Sequence, residues 1–330
     1  MISRILIAIG AGLAAALLFY IPVKGTALAM LLATFASLPI MIVGLAFSPV
    51  TALIAAIAGS LVLAVALNEI LAATFAFSAA LPAWWLTRLA WLARPVEPGE
   101  PTATPDGLVW YPLGHLLAWI AALATAVSIG GLLLALYRFG SFDAFLDEAV
   151  RRMSPMIEAI FDRSKGAPGG ITSDELARIF IQAMAPVFAG WTVATTVLNL
   201  WLAGRIALIS QRLGRPWIAV PENLHLPRPI LYVFGVGFAL MLTSGFFRVA
   251  GYTLVAAFGT ALAFQGLASL HTASRPSRVR TTMLTVLYTT IFVLFPLPLP
   301  LLAVAGLIDM LMGNRNRSTK PPVSGTPTSI

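Results

Sequence analysis

The sequence predicts an all-α fold, a polytopic transmembrane helical bundle of about eight full spans closed by a proline-broken C-terminal hairpin. Composition is the first reason. Of 330 residues, 59% are hydrophobic and 10% charged, with a mean hydropathy of +0.90, whereas ordinary globular domains carry about 25% charge. Continuity is the second: from Ser37 to Leu92 the only ionisable side chains are Glu69 and Arg88. A helix in water needs a polar face. Here apolar residues go all the way round, over lengths that match a bilayer core of about 30 Å. The third is that the basic residues fall in short loops between apolar runs.

Spans are expected at about 4–21, 26–47, 50–67, 70–92, 112–137, 176–204, 229–247 and 250–271, with a broken region at 281–312. The first opens after Met1-Ile2-Ser3-Arg4, and a second apolar run follows it closely. It therefore reads as a transmembrane helix rather than a cleaved leader. Residues 93–111 hold four prolines and no helical period, which predicts an extended cytoplasmic linker. No internal repeat relates the two halves it joins, so residues 1–312 read as a single integral membrane domain.

Residues 138–173 form the one soluble-looking stretch, an outer amphipathic loop. Phe142, Phe145, Leu146, Val150, Met153, Ile157 and Phe161 recur at three- and four-residue spacing. Asp143, Asp147, Glu148, Arg151, Glu158 and Asp162 fill much of the other face. This pattern predicts an amphipathic helix bent near Pro155, lying in the membrane interface or folded over the bundle as a lid. A flexible turn is expected at 164–170, and Thr172-Ser173-Asp174-Glu175 reads as a capping box opening the sixth span. In the last region the apolar run from Thr281 to Phe295 is short for a span, and Pro296, Pro298 and Pro300 break it. Residues 301–312 then return as a short span or re-entrant hairpin. Residues 313–330 are rich in Pro, Ser and Thr and read as a disordered cytoplasmic tail.

Arg88, Arg94, Arg205, Arg212, Arg215, Arg228, Arg275, Arg278 and Arg280 all fall on one side of this layout. The positive-inside rule makes that side cytoplasmic, with both termini inside. The net charge of +8 is thereby explained by orientation rather than by a phosphate-binding face, and no nucleic-acid partner is expected. With no cysteine, disulfides, thiolate metal sites and thiol catalysis are excluded.

Candidate residues are few. Ala8, Gly12 and Ala16 make a small-residue stripe along the first span, and Ala52, Ala56, Ser60 and Ala64 another along the third. Such faces serve close helix packing, or docking against a partner subunit. Gln182, Asn199 and Gln265 are neutral polar groups inside spans, candidates for ligand binding or interhelical hydrogen bonds. Glu69, Arg88, His115, Arg205, Arg248 and Asp309 fall near span ends, where the cost of a charge in lipid largely vanishes, so no buried carboxylate relay is expected. His115, His225 and His271 lack the spacing of a helical zinc site, and no metal is expected. Ser244 falls near the outer end of its span and His271 near the inner end of the next, several helical turns away and too far apart for proton transfer. The glycines at 166–173 lack the Lys-Ser/Thr pair of a phosphate loop. No cofactor and no enzymatic activity are expected.

Several short motifs carry a family resemblance: Ser37-Leu38-Pro39 with Gly44-Leu45, Phe264-Gln265-Gly266-Leu267 leading to His271, Tyr288 before the proline break, and Gly306-Leu307-Ile308-Asp309. In these the chain resembles the YybS-like family of bacterial inner-membrane proteins, a family of unknown function. That family is in turn distantly similar to the S components of energy-coupling-factor transporters. The resemblance implies a location in the bacterial inner membrane and a small ligand bound from outside. It also implies a separate membrane coupling subunit with ATPases as partner. More spans, the outer loop and the broken last helix depart from the S-component pattern.

The chain is thus expected to be a small-molecule binding or transport component without its own energy source. The alternative is a structural or scaffolding protein that organises envelope partners. A ligand site is expected in the outer half of the bundle, beneath the 142–161 helix and near Gln182, with the proline break at 296–300 as a wall.

Overall fold

A computed structural model describes residues 2–97, 107–160, 170–294 and 296–312. The expected tail at 313–330, Phe161, Asp162, Phe295, most of the glycine-rich turn and the centre of the linker lie outside the described residues. Among the described residues the chain is almost wholly helical, and seven helical stretches are long and apolar enough to cross a membrane.

The first stretch is α1 (Ile2–Tyr20), extended by a 3-10 turn at Ile21–Lys24. The second is broken into α2 (Ala27–Ala33) and α3 (Leu38–Ala46), with a turn at 34–37. Pro39 accounts for the break: it has no N–H for the Phe35 carbonyl, and its ring crowds that carbonyl out of a continuous helix. α4 (Pro49–Ala66) opens on a capping box in which Ser48 and Thr51 each bond the other's backbone N–H. α5 (Glu69–Phe75) and α6 (Leu81–Ala90) form one span joined by a π-helical segment at Ala76–Ala80. Pro82 leaves the Ser78 carbonyl without its usual donor, and the widened turn absorbs it.

The linker is not simply extended. β1 (Ala93–Pro95) pairs antiparallel with β2 (Leu108–Trp110), Arg94 opposite Val109. The Tyr111 N–H donates to the Leu92 carbonyl at 2.9 Å to close the ribbon. The run Leu108-Val109-Trp110 favours strand, a signal too short to stand out beside four prolines.

Three long helices form the centre: α7 (Leu113–Phe139), α9 (Ser173–Ile209) and α12 (Gly245–Ala273). At 1.5 Å per residue the 37 residues of α9 reach about 55 Å, well beyond a bilayer core of about 30 Å. α8 (Phe142–Ile160) packs against the projecting first turns of α9. Leu146, Val150 and Ile157 meet Ala177 and Ile181 of α9 in one apolar cluster with Val249 of α12. Arg178 donates to Asp147 at 2.7 Å and Ser154 to Asp174 along the same seam. Of the two placements open to it, α8 takes the one against the protein, and it continues through Pro155 as a single helix. The Thr172–Glu175 capping box forms.

The expected full span at 229–247 is corrected. α11 (Ile230–Met241) has only 12 residues, about 18 Å. Pro227 and Pro229 precede its start, and the chain turns at 242–244 into Gly245, whose φ of +59° suits glycine. After the single turn α10 (Val220–Asn223), α11 and α12 come α13 (Arg280–Val293) and α14 (Pro298–Met312). Pro298 and Pro300 do not interrupt α14: they sit in its first turn, where no intrahelical acceptor awaits their N–H groups.

Small residues set the closest crossings. A methyl group added at Gly12 would overlap the Ala55 carbonyl, and one at Gly59 the Gly12 carbonyl. The stripe Ala8, Gly12 and Ala16 thus closes on Ala52, Ala55, Ala56 and Gly59, all buried, while Ser60 is half-buried and Ala64 exposed. These faces are used inside the chain's own bundle. α14 crosses α12 in the same way, at Gly266 and Gly306.

Candidate functional site

One end of the bundle gathers the ends of α3, α6, α7, α9 and α12, and its construction starts with tryptophan. Trp91, one residue past α6, donates its indole N–H to the Gly44 carbonyl at 2.8 Å and lies against the Gly214 backbone. α9 ends nearby in a Schellman turn. Gln211 takes the left-handed conformation (φ +55°), its N–H bonds the Leu208 carbonyl and the Arg212 N–H bonds the Ala207 carbonyl. That turn sends the loop 212–229 back over the bundle. Trp217 in the loop packs on Gly204 of α9 with the Arg205 guanidinium over its ring, and Arg212 lies over Phe47.

Farther along, the loop is fixed from α12. Gln265 accepts a hydrogen bond from the Leu226 N–H at 2.9 Å, and Thr272 donates to the Pro221 carbonyl. Arg275 pairs with Glu222. The amide of Gln265 is itself oriented by Asp309 of α14, whose Oδ2 accepts from Gln265 Nε2 at 2.8 Å. Asp309 Oδ1 accepts from Ser269 as well. Near the end of its helix, Asp309 is nevertheless only 8% exposed. This corrects the expectation that position alone would keep it out of the protein interior, because α12 covers it.

Between this loop and the helices lies a cavity of about 640 Å³. Its walls are the first two turns of α7, the stretch 194–204 of α9, the loop residues 213–224 and the end of α12, with Tyr288 of α13 at one side. Leucine, alanine and valine make most of the surface. Three lining groups bring charge or strong hydrogen-bonding capacity: Arg215, His271 and Tyr288, the last two sharing a hydrogen bond of 2.7 Å. Arg215 donates from Nη1 to the Ala90 carbonyl at a long 3.3 Å and lies 5.6 Å from the centre of the Trp110 ring. Its Nη2 is buried without a hydrogen-bond partner among the described residues. Burial pushes this guanidinium below the usual arginine range, because desolvation disfavours the charged form.

The residues the sequence singles out fall in separate places. Asn199 is 2% exposed and donates to the Thr34 carbonyl (2.7 Å) and the Ser37 hydroxyl (2.9 Å), at the break between α2 and α3. Gln265, 1% exposed, holds the cavity's loop as described. Gln182 is half-buried on the far part of α9, and none of the three lines the cavity. The cavity also lies at the opposite end from α8, where the apolar face of that helix fills the space expected to hold a ligand, and the proline break forms none of its wall. Sequence reasoning missed Arg215, His271 and Tyr288 as a group. Arg215 reads as one more basic loop residue until the fold places it against α6 and β2. Ser244 and His271, expected on successive spans, stand instead at the two ends of one helix, α12, and are far apart there too.

None of the protein-family models, curated proteins or solved structures compared with the chain matches it.

Proposed function

We propose that the chain is a small-molecule binding or transport component of the membrane without an energy source of its own. The cavity at the basic end carries this reading. Its volume of about 640 Å³ lies within the range of roughly 300–1,000 Å³ typical of ligand sites, and it has their character of apolar walls with few polar groups. The apolar helices already make the lipid bilayer its surroundings. The YybS-like resemblance adds the bacterial inner membrane and a coupling subunit bearing ATPases as the partner that would supply energy. The docking face for such a subunit would not be the alanine stripes of α1 and α4, which close on each other.

The test is native mass spectrometry of the protein solubilised gently from its host membrane. A discrete small-molecule adduct, absent from an Ala194→Phe variant that fills the cavity, is the expected result. A bare protein that instead carries envelope or division proteins would replace this reading with the scaffold.

A further inference from the structure

Among the described residues, Arg215 is the only charged side chain on the cavity wall. Among the described residues no carboxylate forms an ion pair with it, and Glu222 of the same loop pairs with Arg275. Arg215 is half-buried, and withdrawing a cation from water without a counter-charge is unfavourable. Its guanidinium lines the cavity with Nη1 on the Ala90 carbonyl and Nη2 enclosed without a partner among the described residues, and its charge suits a carboxylate or phosphate there. The rest of the wall is apolar and suits a hydrocarbon chain instead.

The rim shows where such a chain enters. Leu198 and Trp201 line the cavity, yet both are more than two-fifths exposed. They lie eight to eleven residues before the end of α9, about 12–16 Å along the helix, at a depth where an exposed side chain faces lipid. Tyr288 of α13 also lines the cavity; α13 buries no side chain of its own and is tied to α12 by the Tyr288–His271 hydrogen bond. Resting on the reading of the cavity as a binding site, we infer that its ligand is an anionic amphiphile. The apolar chain lies among the leucines of α7 and α9, and a phosphate or carboxylate head pairs with Arg215. It reaches the site sideways from the membrane, past α13.

The test uses the full-length protein, delipidated in a neutral maltoside detergent. Four probes are titrated by thermal shift and microscale thermophoresis: oleate, oleoyl lysophosphatidate, neutral monoolein with the same chain, and inorganic phosphate. The two anionic amphiphiles should bind at least tenfold more tightly than monoolein, and phosphate alone should not bind. Arg215→Gln should bring the anionic probes to within threefold of monoolein, with a melting temperature equal to or above wild type because an unpaired cation is gone. Arg215→Lys, which keeps the charge without the fork, should fall between. Ala194→Phe should abolish binding of all three amphiphiles.

Equal binding of oleate and monoolein to the wild type, or Arg215→Gln binding as wild type, would overturn the anionic head while leaving the cavity as a site. Phosphate binding as tightly as lysophosphatidate would make the ligand a free anion and overturn the amphiphile. Binding of no amphiphile, or unchanged binding by a folded Ala194→Phe, would remove the cavity reading itself.

Discussion

Asn199 and Gln265 show what a single amide does inside this bundle. The turn at 34–37 frees backbone groups that lipid cannot satisfy, and Asn199 reaches across 165 positions of sequence to the Thr34 carbonyl. Asn199→Leu should therefore lower stability by about 1–2 kcal/mol, read as a lower melting temperature in detergent. Gln182→Leu, on a half-buried group with no side-chain hydrogen bond among the described residues, should stay within about 0.5 kcal/mol of wild type. Asp309→Ala should cost more, about 2–3 kcal/mol, since it strands both the Gln265 amide and the Ser269 hydroxyl in a buried site. It should also loosen the loop at Leu226, seen as faster hydrogen exchange at residues 220–226. Polarity within apolar spans makes these amides legible in the sequence. The partner of Asn199 is not, because the Thr34 carbonyl left free at the turn has no side-chain signature.

At the scale of elements, what is local was legible and what is a meeting was not. Apolar length marks the spans, and Thr172 with Glu175 marks the start of α9, because a cap is settled within four residues. Pro39 and Pro82 break or widen their helices, yet the apolar run passes straight through them, so hydrophobicity alone reads one span in each case. Pro298 and Pro300 err the other way, looking like breakers while opening α14. The crossing of α12 and α14 depends on glycine having no side chain. Gly306→Ala would press a methyl group into the Leu262 carbonyl, forcing backbone movement that should cost about 1–3 kcal/mol. Gly130→Ala meets no atom within 4 Å. It should be neutral or stabilise by up to about 1 kcal/mol through helix propensity. The two melting temperatures, measured side by side, separate packing from propensity.

The whole molecule is polar end to end in a way that predicts its orientation. Arg88, Arg205, Arg212, Arg215, Arg275 and Arg280 share the end with the ribbon and the loop 212–229, as the contacts of Arg215 with Ala90 and of Arg275 with Glu222 require. The opposite end carries α8, where Glu148 pairs with Arg151 and Arg152, and Asp147 with Arg178, so its charges largely cancel. Uncancelled arginine near helix ends is what holds a loop on the cytoplasmic side. The absence of cysteine makes the test clean, since any introduced thiol is the only one. Exposed positions serve as reporters: Ser210→Cys and Glu97→Cys at the arginine-rich end, Val23→Cys and Ala144→Cys at the other. A membrane-impermeant maleimide added to intact cells, or to spheroplasts where an outer membrane blocks it, should label Val23→Cys and Ala144→Cys. The other two should react only after lysis. Labelling of Ser210→Cys before lysis would invert the molecule. The cavity would then belong to the outer half of the membrane, and Arg215 would meet amphiphiles of the outer leaflet instead of the cytoplasmic one.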